Sequence, residues 1–167
     1  MSKTQEDLKA AFAGESQANR KYLAFAKAAE KEGKNNLAKL FRAVAEGETI
    51  HALKHLANLG GIKNSVENVK SAIAGETYEI ETMYPEFITD AQNEGEKNSE
   101  NGFIWANEVE KKHQKEFISA LNEIESGEDL AEQKYFVCQV CGQLELGEAP
   151  EICPVCKAPK EKFVVVE

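Results

Sequence analysis

The sequence predicts an all-α fold, a four-helix bundle, followed by a small β/knuckle domain, and three observations predict it. Residues 4 to about 126 are rich in Ala, Glu, Lys and Leu, with apolar positions three and four apart and a single proline, Pro85. That stretch repeats itself: Ala11-Phe12-Ala13-Gly14-Glu15-Ser16 returns as Ala72-Ile73-Ala74-Gly75-Glu76-Thr77 at an offset of 61, and Glu48-x-x-His51 as Glu110-x-x-His113 at an offset of 62. Beyond Gly127 the chain turns to short β-prone runs, glycine and proline turns and four cysteines. The expected domains are residues 1–130 and 131–167, with the polar segment 127–134 as linker.

The first helix is expected from near Thr4, where Thr4-x-x-Asp7 is a capping signal, to near Gly33, burying Leu8, Ala11, Phe12, Ala18, Tyr22, Phe25 and Ala29. The second runs from about Asn36 to Leu59, before Gly60-Gly61, with Leu37, Leu40, Phe41, Val44, Ala52 and Leu56 inward. The third reaches from Ser65 to about Gly95. Its apolar side is Val69, Ile73, Ile80, Met83, Phe87 and Ile88, and Pro85 bends it at a cost of about 3 kcal/mol unless neighbours absorb the loss. The fourth covers about Ser99 to Ser126, with Phe103, Ala106, Phe117, Leu121 and Ile124 inward and Trp105 also assigned to the core. In the tail, Lys134–Val137 and Lys162–Val166 read as strands.

Bulk properties narrow the function. With 167 residues and 42% hydrophobic content the chain can bury one core. A net charge of -9 argues against a nucleic-acid or anionic-membrane partner, either of which wants a basic face. The first residues, Met1 to Asp7, enter an amphipathic helix without an apolar signal core, so a cytoplasmic protein is expected. In that reducing compartment four cysteines are metal ligands more often than disulfides.

Acids and histidines interrupt the apolar stripes. Glu15, Glu48 with His51, Glu76 with Glu79, and Glu110 with His113 fall on the four inward faces. Residues three apart on a helix present their heads to one spot. A carboxylate in an apolar stripe costs several kcal/mol unless a cation compensates it. Two divalent cations would compensate five carboxylates and coordinate both imidazoles, and one Glu from each of two helices with Glu-x-x-His from the other two is the ligand pattern of di-iron bundles. Tyr22 and Tyr84, a turn or two beyond proposed ligands, can offer hydroxyls near the metals or simply fill the core. His55 belongs to no repeat and reads as a packing or surface residue.

Cys138-x-x-Cys141-Gly142 and Cys153-x-x-Cys156-Lys157, with eleven residues between them, form two turns whose thiolates converge on one tetrahedral metal. The spacing alone leaves zinc and iron open. Lys157 stands where glycine is usual, so positive φ at about 1 kcal/mol is expected there.

With both sites in place the chain resembles the rubrerythrins, a family with a ferritin-like di-iron four-helix bundle and a C-terminal rubredoxin-like iron domain. The residues that carry the likeness are Phe12 to Ala18, Glu48-Thr49-Ile50-His51, Gly75 to Glu79 with Met83-Tyr84-Pro85, Glu110-Lys111-Lys112-His113 and the four cysteines. The resemblance implies two irons in the bundle and a third on the cysteines. It implies that Glu48 and Glu110 bridge the pair, that Glu15 is terminal on the first iron, and that Glu76 and His113 bind the second. It further implies that Glu79, one turn beyond Glu76, exchanges with His51 on oxidation and reduction, and that Tyr22 and Tyr84 stand behind the ligands. Gln143 departs from the pattern, in which an aromatic is common.

The resulting expectation is a peroxidase that reduces hydrogen peroxide to water. Its electrons come through the four-cysteine iron from a rubredoxin or an NAD(P)H-dependent reductase. With only about eight linker residues, the resemblance implies a head-to-tail homodimer in which one subunit's knuckle faces the other's di-iron site. Two rivals share the same residues: a ferroxidase or iron-handling protein, which leaves Glu79 and the knuckle idle, and a non-enzymatic zinc-ribbon scaffold, which leaves the five acids unexplained.

Overall fold

The computed structural model describes residues 2–166; Met1 and Glu167, the outer ends of the two expected domains, lie outside the described residues. Its compact units divide at Lys63/Asn64, while the expected boundary near residue 130 separates the sheet-bearing tail from the last helix.

The first unit is a helical hairpin, α1 (Lys3–Lys31) and α2 (Asn35–Asn58). Its start corrects the expected cap: Ser2, not Thr4, precedes the helix, and its hydroxyl accepts the Gln5 N–H at 3.3 Å. Gly33 makes the reversal in the left-handed region at φ 75, which costs a glycine nothing. The two helices meet along a seam of alanines, Ala26, Ala29, Ala38, Ala45 and Ala52, all buried. Small side chains let the backbones approach, and Asn19 uses that closeness: its Nδ2 donates to the Ala45 carbonyl and the Thr49 hydroxyl, both at 2.8 Å. Phe25, Leu37, Leu40 and Val44, expected inward, are exposed, because a helix pair buries only its own seam.

In the second unit Asn64 caps α3 (Ser65–Tyr78), its side chain accepting the Glu67 N–H at 2.9 Å. The expected continuous helix to Gly95 is instead interrupted by a π-helical segment, Glu79–Met83, before α4 (Tyr84–Glu94). There the Tyr84 N–H donates to the Glu79 carbonyl, five residues back, so Pro85 falls in the first turn of α4, where its missing donor is least costly. The Pro85 bend is thus absorbed by one extra residue in the helix. α5 (Lys97–Ile124) follows after Gly95, at φ 75. Gln114 ties it to α3 by donating to the Thr77 hydroxyl at 2.7 Å. Trp105 and Phe87 are exposed rather than core residues.

The tail forms a three-stranded antiparallel sheet in the order β2-β1-β3, from β1 (Tyr135–Cys138), β2 (Leu144–Leu146) and β3 (Phe163–Val166). Tyr135 pairs with Leu146 on one side and Val166 on the other. β2 was not among the expected strands; its apolar-polar-apolar alternation, Leu144-Glu145-Leu146, is too short to read alone. Cys138, Ala149, Cys153 and Phe163 form the core of this domain. Among the described residues no helix is long and apolar enough to cross a membrane.

Candidate metal centres

The hairpin of α1 and α2 brings Glu15, Glu48 and His51 together, with one ligand atom from each lying within 4.8 Å of the others. Helical spacing does the work: His51 Nδ1 lies 3.1 Å from Glu48 Oε2, one turn away on α2, and the alanine seam holds Glu15 of α1 alongside. His51 stays open, its side chain 60% exposed.

The second unit repeats the arrangement with Glu76, Glu110 and His113, again within 4.8 Å. His113 Nδ1 lies 2.7 Å from Glu110 Oε2. The hydrogen bond to Glu110 raises the His113 pKa against its burial.

Without a cation the acids crowd one another. Burial, the Glu110 charge and a hydrogen bond to Glu110 push Glu76 up to about 7. Burial and the Glu110 charge raise Glu79 as well. Tyr84 is also raised, by burial and then by the charges of Glu110, Glu79 and Glu76, so its hydroxyl keeps its proton beside three carboxylates. Two like charges forced to share a proton are the signature of a site suited to a metal. The acids are half-buried rather than sealed in the core.

The π segment explains Glu79. Glu15 and Glu76 differ by 61 positions, but Tyr22 and Tyr84, Phe25 and Phe87, and Phe41 and Phe103 each differ by 62. The one added residue falls between Glu76 and Tyr84, where the helix widens, and the widened turn carries Glu79. The two aromatic trios are equivalent: Tyr22 packs on Phe25 and Phe41, and Tyr84 on Phe87 and Phe103, at centroid distances of 5.5 to 6.4 Å across both sets. The change of offset was the sequence signal for this insertion. Asn19, which periodicity does not single out, is the buried amide on α1.

The four cysteine sulfurs also lie within 4.8 Å of one another, Cys138 to Cys156 at 3.7 Å and Cys141 to Cys153 at 3.6 Å. The two turns are alike: Gly142 N–H donates to the Cys138 carbonyl and Lys157 N–H to the Cys153 carbonyl, at 2.9 and 3.1 Å. Lys157 adopts the expected positive φ, 63°, matching Gly142 at 87°. Burial opposes ionisation of Cys138, yet the N–H groups of Cys141 and Val140 aimed at its sulfur hold the thiol below its usual range. Burial pushes the Cys141 and Cys156 thiols up. Four thiols drawn together with backbone donors on the sulfurs fit a thiolate-bound metal. Gln143 is buried and partnered, its Nε2 donating to Glu145 Oε1 at 2.9 Å. Within this unit β2 packs on α5.

The Rubrerythrin family model matches residues 6–121, and the model of the rubrerythrin rubredoxin-like domain matches residues 136–164. The chain is 37% identical to nigerythrin of Nitratidesulfovibrio vulgaris, covering 96% of this chain and 85% of that one. It is 34% identical to a rubrerythrin of Porphyromonas gingivalis, covering 97% and 89%. The solved structure of fully reduced, all-ferrous nigerythrin is similar at 35% identity and a TM-score of 0.58, over 99% of this chain and 88% of that one.

Proposed function

From its place in the rubrerythrin family, to which this chain belongs, we propose that it is a peroxidase reducing hydrogen peroxide to water. It is an iron protein with a di-iron site and a rubredoxin-like four-cysteine site. The observation that carries the proposal is the second cluster, where Glu79 and Tyr84 stand beside Glu76, Glu110 and His113. A ferroxidase has no use for the extra carboxylate, nor for a cysteine centre on the same chain.

In this reading Glu15, Glu48 and His51 would hold one iron, and Glu76, Glu110 and His113 the other. When bound, the irons would supply the two electrons that peroxide reduction needs. Hard carboxylate oxygens favour oxidised metals and a neutral imidazole reduced ones, so Glu79 would serve as a ligand in the oxidised state and His51 in the reduced one. The exposed ring of His51 is free to swing away, whereas the less exposed His113 is held by Glu110 at 2.7 Å. Tyr84 holds its hydroxyl proton as a donor toward the substrate oxygens, and Tyr22 is its counterpart in the first half of the repeat. The functional domains are residues 1–130 and 131–167, and the upstream donor is a rubredoxin or an NAD(P)H-dependent reductase acting in the cytoplasm.

Stopped-flow mixing of the fully reduced protein with hydrogen peroxide or dioxygen tests this. Fast oxidation by peroxide and slow oxidation by dioxygen is expected. Rapid reaction with dioxygen alone would sink the peroxidase reading in favour of iron oxidation.

A further inference from the structure

The sheet of the tail has two unlike faces. Tyr135 pairs with Leu146 and Val137 with Leu144, and alternate residues of a strand point the same way, so these four side chains share one face. Phe136 and Cys138 point the other way, into the cysteine core. β2 packs on α5, and α5 turns His113, Phe117 and Ala120 toward the first face, four and three residues apart on one side of the helix. The facing side chains do not close on one another. They are only half-buried, and a cleft of about 790 Å³ is left between them.

The cleft joins metal ligands to an apolar wall. Glu76 and His113, two of the three residues of the second cluster, line it together with that sheet face. From His113 to Ala120 the helix rises about 10 Å, so the wall continues roughly that far beyond the histidine. Hydrogen peroxide, with two oxygens, needs on the order of 60 Å³, about twice the share of a water in the liquid. The space is far larger, and lies in the range of cavities that bury organic ligands. Charge narrows the class of ligand. Among the described residues no lysine or arginine lines the cleft; Glu116 is neutralised by Lys112 at 2.7 Å, which leaves Glu76 and Glu123. A carboxylate on the ligand would meet like charge there, so an uncharged apolar body is favoured.

We propose that the protein also reduces organic hydroperoxides, whose uncharged apolar body lies along Phe117, Ala120, Val137 and Leu144 while the hydroperoxide head reaches the cluster of Glu76 and His113. This deepens the peroxidase reading above and rests on it. In the step one hydroperoxide takes up two protons from water and two electrons, one from each of two ferrous ions that become ferric. The O–O bond breaks, and one alcohol and one water are formed. The external donor that restores the irons after hydrogen peroxide restores them here as well.

Cumyl alcohol, the product that cumene hydroperoxide would leave, and the smaller tert-butanol test the cleft when each is titrated calorimetrically into the iron-loaded, oxidised full-length protein. A single cumyl alcohol per chain is expected, bound roughly tenfold or more tighter than tert-butanol, because its larger body removes more apolar area from water. No binding, or equal binding of the two alcohols, would overturn the proposal, and this readout needs neither a variant nor turnover. Ala120→Trp places an indole in the cleft two turns beyond His113. The ratio of kcat/KM for cumene hydroperoxide to that for hydrogen peroxide should then fall by about tenfold or more, through KM. An unchanged ratio would remove the apolar body from this cleft. Wild-type protein that reduces hydrogen peroxide but not cumene hydroperoxide would overturn the proposal and leave the peroxidase reading standing. Protein that binds cumyl alcohol yet reacts with neither peroxide would defeat the peroxidase reading, and the substrate assignment with it, while keeping the cleft as a site for apolar ligands.

Discussion

Glu76 and Glu110 bring carboxylate oxygens within 4.8 Å of each other, two acids held together where only one can be ionised comfortably. The pair makes the stability of the metal-free protein depend on pH. Glu76 is raised from an ordinary 4.5 to about 7, so the folded state binds a proton that the unfolded chain has released. A raised value contributes stability that is complete below pH 4.5 and is lost as pH climbs through about 7, and the upward shifts of Glu79 and His113 act in the same direction. The melting temperature of metal-free protein should fall across that window. Glu76→Gln should flatten the fall, and a rise in wild type would show that the pair does not share a proton.

Glu79 owes its position to the single residue inserted in the π segment. Replacing Glu79 by Ala should leave both dinuclear irons bound, by metal analysis, and lower peroxide turnover by about tenfold or more. Turnover equal to wild type would exclude Glu79 from the reaction.

Asn19 fastens α1 to α2 through the Ala45 carbonyl and the Thr49 hydroxyl. Asn19→Ala leaves that buried carbonyl short of a donor and should cost about 1–3 kcal/mol, seen as a lower denaturant midpoint. Asn19→Asp, unable to donate, should be no better. Recovery of full stability in the Asp variant would deny the amide its role.

Lys157 sits at φ 63, a conformation in which a side chain is strained. Lys157→Gly should stabilise the cysteine domain by about 1 kcal/mol, against the loss of one exposed hydrogen bond, and slow the release of its iron to a chelator. Faster release would mean that the Lys157 contact to Pro154 outweighs the strain.

The cysteine centre itself has a direct optical check. Iron on four thiolates absorbs in the visible, and dithionite should bleach the band; Cys153→Ser should abolish it. A colourless protein from iron-replete growth would place zinc there instead.

Much of this was legible in the sequence because it is local. Helical spacing alone puts Glu48 with His51 and Glu110 with His113, the Cys-x-x-Cys turns need only their own backbone, and the residue after Cys156 had to take positive φ whatever surrounded it. The 61 to 62 change of offset even held the π insertion, as a count rather than a shape. What periodicity cannot give is which partner covers a face. It marked Leu40 and Trp105 as core, yet both are exposed, because apolar spacing says which side of a helix is sticky and not what lies against it. It could not place Gly142 on Val109 either, since that contact depends on how the sheet packs on α5. The sequence by itself determined which acids and histidines share a helical turn and which cysteines share a loop; the tertiary structure decided what the cysteine domain touches, because packing is a property of surfaces rather than of spacing.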